Sequence, residues 1–247
     1  MARLAEYGIV NEKTLFEKPC AGVSLTGERI RSNTKESKPL NVYDFDQTIY
    51  AWDSTADFYF FCLKKQPSLL RHLPAQGFAF LRYLLGGLNK TQFKERFYRF
   101  MGSIPDIEQR VEQFWDTHAH KIEGWYLAQQ QADDVVISAS PEFLLRPICA
   151  RLGITHLMAS RVDPKSGTYT GLNCHGREKV CRYREALGEA PIKFFYSDSL
   201  SDTPLAELAQ YSYIVRRGCL IDWQKYGHSS RKRLRKLRHY ADTPRFL

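Results

Sequence analysis

Four short runs, LNVYDFD from Leu40, DDVVISAS over 133–140, IKFFYSDS over 192–199 and YSYIVR over 211–216, stay apolar on consecutive positions instead of alternating with polar ones. A strand that is apolar on both sides must be covered on both. Segments of helical periodicity separate the later runs, so the chain reads as α/β, a Rossmann-like parallel sheet with helices on both faces. The gap between the first two runs is too long for a simple crossover and carries helical stripes of its own. Phe93, Phe97, Phe100 and Met101 repeat at helical spacing, and so do Ile107, Val111, Phe114, Trp115, His118, Ile122 and Trp125. This predicts an inserted all-helical cap over 54–130 and a core domain built from 40–53 and 131–224. Ser54-x-x-Asp57 has the pattern of a capping box at the first cap helix. His118 is expected as a packed core residue and not a ligand, and DPKSGTYTG predicts a hairpin near 160–174.

The ends read differently from the middle. Residues 1–39 lack a sustained period and contain the polar stretch TGERIRSNTKESKP, so they are expected to be a poorly ordered extension. One hypothesis is that the native start lies later, at Leu40: leucine can be encoded by TTG, a bacterial start codon, and Lys35-Glu36 by AAG-GAG, a ribosome-binding sequence. Other codons there, or native N-terminal peptides mapping before residue 40, overturn this idea. At the other end, residues 225–247 hold eight Lys or Arg against one acid, Asp242, which is +7 of the +9 net charge. The basicity therefore belongs to the tail, read as solvated in preference to a nucleic-acid or anionic-membrane contact. No run approaches the roughly 20 apolar residues that span a bilayer, and the first residues do not resemble a secretory signal. A cytoplasmic protein is expected, with its six cysteines reduced because no C-x-x-C pair occurs among them. Cys174-His175 with Cys181 lacks the partners of a metal site.

In open parallel sheets, ligands bind beyond the carboxyl ends of the strands. The first run delivers Asp44, Asp46 and Thr48 there, the second delivers Ser138, and the run over 192–199 delivers Asp198 and, four residues on, Asp202. Lys179 opens a helical stretch, EKVCRYREAL, between the last two. Two carboxylates one residue apart repel unless a cation or a proton sits between them. Asp44, the Asp46 region and Asp198 can hold a hard divalent ion through oxygens, and Mg²⁺ accepts a carboxylate or two with water and phosphate completing its shell.

D-x-D-x-T, then Ser after an apolar strand, then Lys, then D-S-x-x-D resembles the haloacid dehalogenase superfamily, in its phosphoserine-phosphatase-like branch with a helical cap after the first motif. The match runs from about residue 40 to 223. The resemblance implies a Mg²⁺-dependent phosphatase in which Asp44 is the nucleophile that becomes an aspartyl-phosphate. Asp46 is then the general acid and base, with its backbone carbonyl on the metal. Thr48 would support the loop and join Ser138 and Lys179 as phosphate-binding residues, and Asp198 and Asp202 would complete the metal set with Asp44 and Asp46. Dehalogenases lack the second aspartate, so Asp46 points to phosphoryl transfer, and hydrolysis is preferred over mutase chemistry.

Two departures bear on substrate: Ser138-Ala139-Ser140 stands where phosphoserine phosphatases have S-G-G, and Ser197 stands where the fourth motif commonly opens with Gly. Asp53 corresponds to the acid that holds a substrate amine, and Arg96 or Arg99 to an arginine for its carboxylate. A small phosphorylated metabolite is expected, with phosphoserine not favoured and no obligatory nucleic acid. Leu69–Leu88 is apolar on much of its surface and is expected to be an ordinary buried cap helix. The alternatives are an interfacial segment making peripheral contact with an anionic membrane to reach a lipid phosphate, or a non-catalytic nucleic-acid-binding protein using the tail. Oligomeric state has no signature in the sequence.

Overall fold

The computed structural model describes residues 38–228. The expected extension, the proposed late start and most of the basic tail lie outside the described residues. In chain order the elements are β1 (Leu40–Tyr43), α1 (Ser54–Lys65), α2 (Leu73–Leu84), α3 (Lys90–Tyr98), α4 (Ile107–His118), α5 (Gly124–Leu127), β2 (Val135–Pro141) and α6 (Glu142–Arg151). Then come β3 (His156–Ser160), α7 (Arg177–Leu187), β4 (Ile192–Ser197), α8 (Thr203–Ala206), β5 (Ala209–Arg216) and β6 (Cys219–Asp222).

The six strands form one sheet in the order β3-β2-β1-β4-β5-β6. All neighbouring pairs are parallel except β5 with β6 at the edge. The four apolar runs are β1, β2, β4 and β5. Strand β3 was not among them because HLMAS is half-buried over its first three residues, as suits an outer strand. The period-2 rule explains why the inner strands read as continuously apolar. Val42, Val135, Ile137, Phe195 and Ile214 pack on one face with Tyr183 of α7 and Leu205 of α8. Their neighbours Tyr43, Val136, Tyr196 and Val215 pack on the other, under α1, α4 and α6. The chain order reverses between β1 and β4, and this switch point is where an open α/β sheet leaves a crevice.

Between β1 and β2 the chain is helical, as expected, but its details differ. Asp53, not Ser54, caps α1: its Oδ1 accepts from the Ala56 amide at 2.8 Å. Asp57 is engaged instead by the Tyr50 hydroxyl and the Lys121 ammonium, both at 2.6 Å. The stripe from Ile107 to Trp125 is not one helix. It stops at His118, passes through a 3₁₀ turn at Ala119–Lys121, and Ile122 pairs with Tyr50. His118 is packed as expected, stacked on Phe114 with ring centroids 4.3 Å apart. The segment expected as a buried helix, Leu69–Leu88, is corrected by the structure. Only Gln76 and Ala79 of α2 are buried, while Phe78 is 62% and Leu81 52% exposed, because α2 leans on α3 and among the described residues nothing covers its other side. Among the described residues no helix is long and apolar enough to cross a membrane.

The hairpin near 160–174 forms around a Val162–Tyr169 bridge, and its tip abuts the helical insertion. Gly167 takes φ +73°, and a Cβ there would lie 2.3 Å from the Tyr98 carbonyl oxygen. Both the left-handed backbone and the close approach require glycine. Gly167→Ala is therefore expected to destabilise the fold by ~1–3 kcal/mol, lowering the melting temperature by about 2–4 °C per kcal/mol. An unchanged melting curve would contradict this contact.

Candidate active site

Asp44 follows β1 directly, and its amide still donates to the Tyr196 carbonyl of β4 at 2.8 Å. The chain then turns sharply. The Tyr50 amide donates to the Phe45 carbonyl at 2.9 Å, and Gln47 adopts the left-handed φ of 55°. Phe45 anchors the turn: it is fully buried between Tyr50 and Trp115, with ring centroids 6.0 Å from each. With the intervening aromatic pulled into the core, Asp44 and Asp46 both come to line the same cleft.

The two carboxylates meet different surroundings. The Lys179 ammonium, buried near the start of α7, donates to Asp44 Oδ1 at 2.9 Å and to Asp202 Oδ2 at 2.7 Å. Burial disfavours the ammonium, but the two carboxylates outweigh that and hold its pKa above the ordinary value. Burial pushes Asp44 up from its ordinary 3.8 to about 7; Lys179 opposes this, and Asp202 and Asp198 add to it. Asp46 is turned elsewhere. Its Oδ1 accepts from the Ser54 amide at 2.8 Å and its Oδ2 from the Ser140 hydroxyl. Burial and then the nearby Asp53 push it up to about 6, offset in part by those two donors.

Ser197 gives its departure from glycine a purpose, because its hydroxyl donates to Asp202 Oδ2 at 2.8 Å while accepting from the Ser199 amide at 3.1 Å. Asp198 lies 3.9 Å from the Arg216 guanidinium; burial raises its pKa, Arg216 lowers it and Asp202 raises it further. Ser138 accepts from the Ser140 amide at 3.1 Å, which leaves its own hydroxyl proton available to a ligand.

The cleft encloses about 190 Å³, and Asp44, Asp46, Ser138, Lys179, Asp198 and Asp202 all line it. Other expected residues fall elsewhere. Thr48 is fully buried inside the turn and does not line the cleft, so it is not a phosphate contact. Arg96 and Arg99 do not line it either, and Arg99 is exposed. Asp53 does, but one oxygen is committed to capping α1.

Four residues were missed. Ser140, not among the expected site residues, is bonded to Asp46. Lys90 and Lys94 reach the cleft from α3, and His175 joins them, with Lys90 Nζ 3.1 Å from His175 Nε2. Lys94 donates to the Ala139 carbonyl at 3.1 Å. Burial lowers the pKa of Lys90 and of His175, and the neighbouring lysines Lys94 and Lys90 respectively lower them further. The signal available in the sequence was the i, i+4 spacing of the two lysines beside the Phe93 and Phe97 stripe, which puts them on one flank of the helix.

Among the described residues no three acidic, histidine or cysteine groups converge into a complete protein-only metal cluster. Lys179 stands between Asp44 and Asp202, and the Asp46 carboxylate is bonded to serines, which leaves its backbone carbonyl as the expected donor. The chemistry still fits Mg²⁺, which needs only one or two carboxylates. Asp202 Oδ1 is buried with no hydrogen-bond partner, in a pocket lined also by the carboxylates of Asp44, Asp46, Asp53 and Asp198.

A family model for haloacid dehalogenase-like hydrolases matches residues 42–207. A probable phosphatase of Mycobacterium tuberculosis is 38% identical over 104 residues, covering 39% of this chain and 34% of the relative. The chain thus matches about a third of that relative's length. A histidinol-phosphatase of Neisseria meningitidis is 26% identical over 203 residues, covering 69% of this chain and 87% of the relative. Among solved structures, a Bordetella pertussis protein of unknown function aligns with TM-score 0.58 and 23% identity, over 72% of this chain and 90% of that one. A probable phosphoserine phosphatase from Vibrio cholerae aligns with TM-score 0.51 and 14% identity, over 71% and 55%. At these identities the structural likeness speaks for the fold.

Asp44 holds its proton more tightly folded than unfolded. Its contribution to stability therefore falls as pH rises from its ordinary 3.8 to about 7. In EDTA above pH ~7, Asp44→Asn is expected to melt a few degrees higher than the wild type, with the difference closing near pH ~5 as the wild-type carboxyl protonates. Thermal melting at the two pH values checks this, and equal curves at both would refute it.

Proposed function

Because the chain belongs to the haloacid dehalogenase-like hydrolases, we propose that it is a Mg²⁺-dependent phosphatase that cleaves a phosphomonoester through a covalent intermediate on Asp44. The observation that carries this reading is the contrast between the two aspartates of one turn. Asp44 is faced by a fixed ammonium, whereas Asp46 is faced by a hydroxyl and an amide and sits near the pKa an acid–base catalyst needs at neutral pH.

In the first step an Asp44 carboxylate oxygen attacks phosphorus and the ester oxygen leaves with its electron pair, taking a proton from Asp46. In the second, Asp46 accepts a proton from water as that water attacks phosphorus, and the Asp44–phosphorus bond breaks to give inorganic phosphate. Lys179 and the Ser138 hydroxyl donate to the phosphoryl oxygens, where charge accumulates. Asp44, Asp198, Asp202 and the Asp46 carbonyl would hold Mg²⁺, which offsets the charge of the phosphate and of the carboxylates. Lys90 and Lys94 also line the cleft and favour a leaving group that carries negative charge. An amino-acid phosphate is disfavoured, because Asp53 is occupied as a cap and neither Arg96 nor Arg99 lines the cleft.

With p-nitrophenyl phosphate, Asp44→Asn and EDTA are each expected to abolish hydrolysis, with Mg²⁺ restoring the chelated enzyme. Full activity in either case would remove the nucleophile or the metal from the mechanism. Asp46→Asn is expected to cost about 10²–10⁴ in kcat/KM for an alkyl phosphate, and much less for p-nitrophenyl phosphate, whose leaving group needs no proton. For the alkyl ester, wild-type kcat/KM should decline as pH rises beyond about 6, where Asp46 loses its proton. Equal losses on both esters, and a flat profile, would exclude Asp46 as the acid.

A further inference from the structure

Helix α2 turns little of its surface inward. Gln76 accepts from the Tyr59 hydroxyl at 2.7 Å and donates to the Phe97 carbonyl at 3.1 Å, while Phe80 and Tyr83 lean on Phe93 with centroids 5.9 and 5.2 Å away. Phe78, Leu81 and Leu85, at i, i+3 and i+7, project from the other side and are exposed, with Leu73 and Leu84 also exposed beside them. A contiguous apolar surface of this kind marks an interaction site.

Charge identifies what covers it. From Phe58 to Lys94 the chain carries Lys64, Lys65, Arg71, Arg82, Lys90 and Lys94 and no Asp or Glu. Arg82 lies one helical turn beyond Phe78, and Arg71 stands just before the helix; both are exposed. An apolar helix face bordered by cations, in a stretch free of acids, is complementary to an anionic lipid surface, where each Lys or Arg near the surface contributes ~1 kcal/mol. A second copy of the chain is the poorer occupant, because it would bring two acid-free cationic faces together. Helix α3 packs on α2 and carries Lys90 and Lys94 into the cleft, so the docking helix and the cationic side of the cleft belong to neighbouring elements.

The geometry points to α2 as the element that docks this protein on an anionic bilayer, and to a phosphate monoester on a lipid headgroup as the substrate class. The second part rests on the phosphatase reading; the docking does not.

The test uses the full chain, sedimented with vesicles of phosphatidylcholine alone or of equimolar phosphatidylcholine and phosphatidylglycerol. The wild type should follow the anionic vesicles and leave the neutral ones. The triple variant Phe78→Ser, Leu81→Ser, Leu85→Ser should lose about tenfold or more of that partitioning, with p-nitrophenyl phosphate turnover unchanged. Phosphate release from a panel of lipids with a terminal phosphate monoester, phosphatidic acid first, should fall in parallel.

Equal sedimentation of the triple variant and the wild type overturns the docking by α2, as does a wild-type dimer that the triple variant splits. Failure of the wild type to sediment with the anionic vesicles while it still cleaves p-nitrophenyl phosphate sinks the docking alone. Vesicle binding without any phosphatase activity sinks the hydrolase reading and the lipid substrate together. Cleavage of the soluble ester with no release from any lipid of the panel sinks the substrate class alone.

Discussion

A single buried ammonium holds the catalytic end of this sheet together. Lys179 reaches from α7 to bridge Asp44, which follows β1, and Asp202, which follows β4, so it ties two strands and a helix through one nitrogen. Without it, the carboxylates gathered at the switch point would oppose one another in a poorly solvated pocket, and breaking such a buried set typically costs ~3–5 kcal/mol. The surrounding polar groups serve the same balance. Ser197 fixes the oxygen of Asp202 that Lys179 contacts, leaving the other oxygen buried and unpaired. The resulting excess of negative charge makes the pocket receptive to a cation and, once one is bound, to a phosphate.

Apolar packing sets the difference in surroundings between the neighbouring aspartates. Phe45, wedged against Tyr50 and Trp115, fixes the turn that carries both, and the elements across the cleft then divide them, Lys179 taking Asp44 and the Ser54–Ser140 pair taking Asp46. Nothing about the carboxylates themselves differs. The separate roles proposed for them rest on what the core permits to stand next to each.

The parts of the molecule legible in the sequence were those governed by local rules. Strands β1, β2, β4 and β5 announced themselves by runs apolar on both faces, and the strand-end placement of Asp44, Asp46, Ser138 and Asp198 followed from the same register. What was illegible depended on partners distant in the chain. Strand β3 hid because an outer strand is half-solvated. Asp53 displaced Ser54 as the cap of α1 through backbone geometry that a four-residue pattern does not encode. Thr48 looked like a ligand because its motif position says nothing of depth, and Arg96 and Arg99 lost to Lys90 and Lys94 through the rotation of one short helix. Helix α2 had the composition of a buried element, and only the arrangement of its neighbours left it uncovered.

The contact between Gly167 and Tyr98 has a wider consequence. Two chain connections alone would let the helical insertion swing about a hinge, but the hairpin tip supplies a third anchor, reinforced by the stacked rings of Tyr98 and Tyr169 at 6.2 Å. Trp115 of α4, packed on Phe45 and donating to the Leu144 carbonyl of α6 at 2.6 Å, braces the insertion further. The long side chains of Lys90 and Lys94 that line the cleft are of the kind that rearranges in picoseconds to nanoseconds.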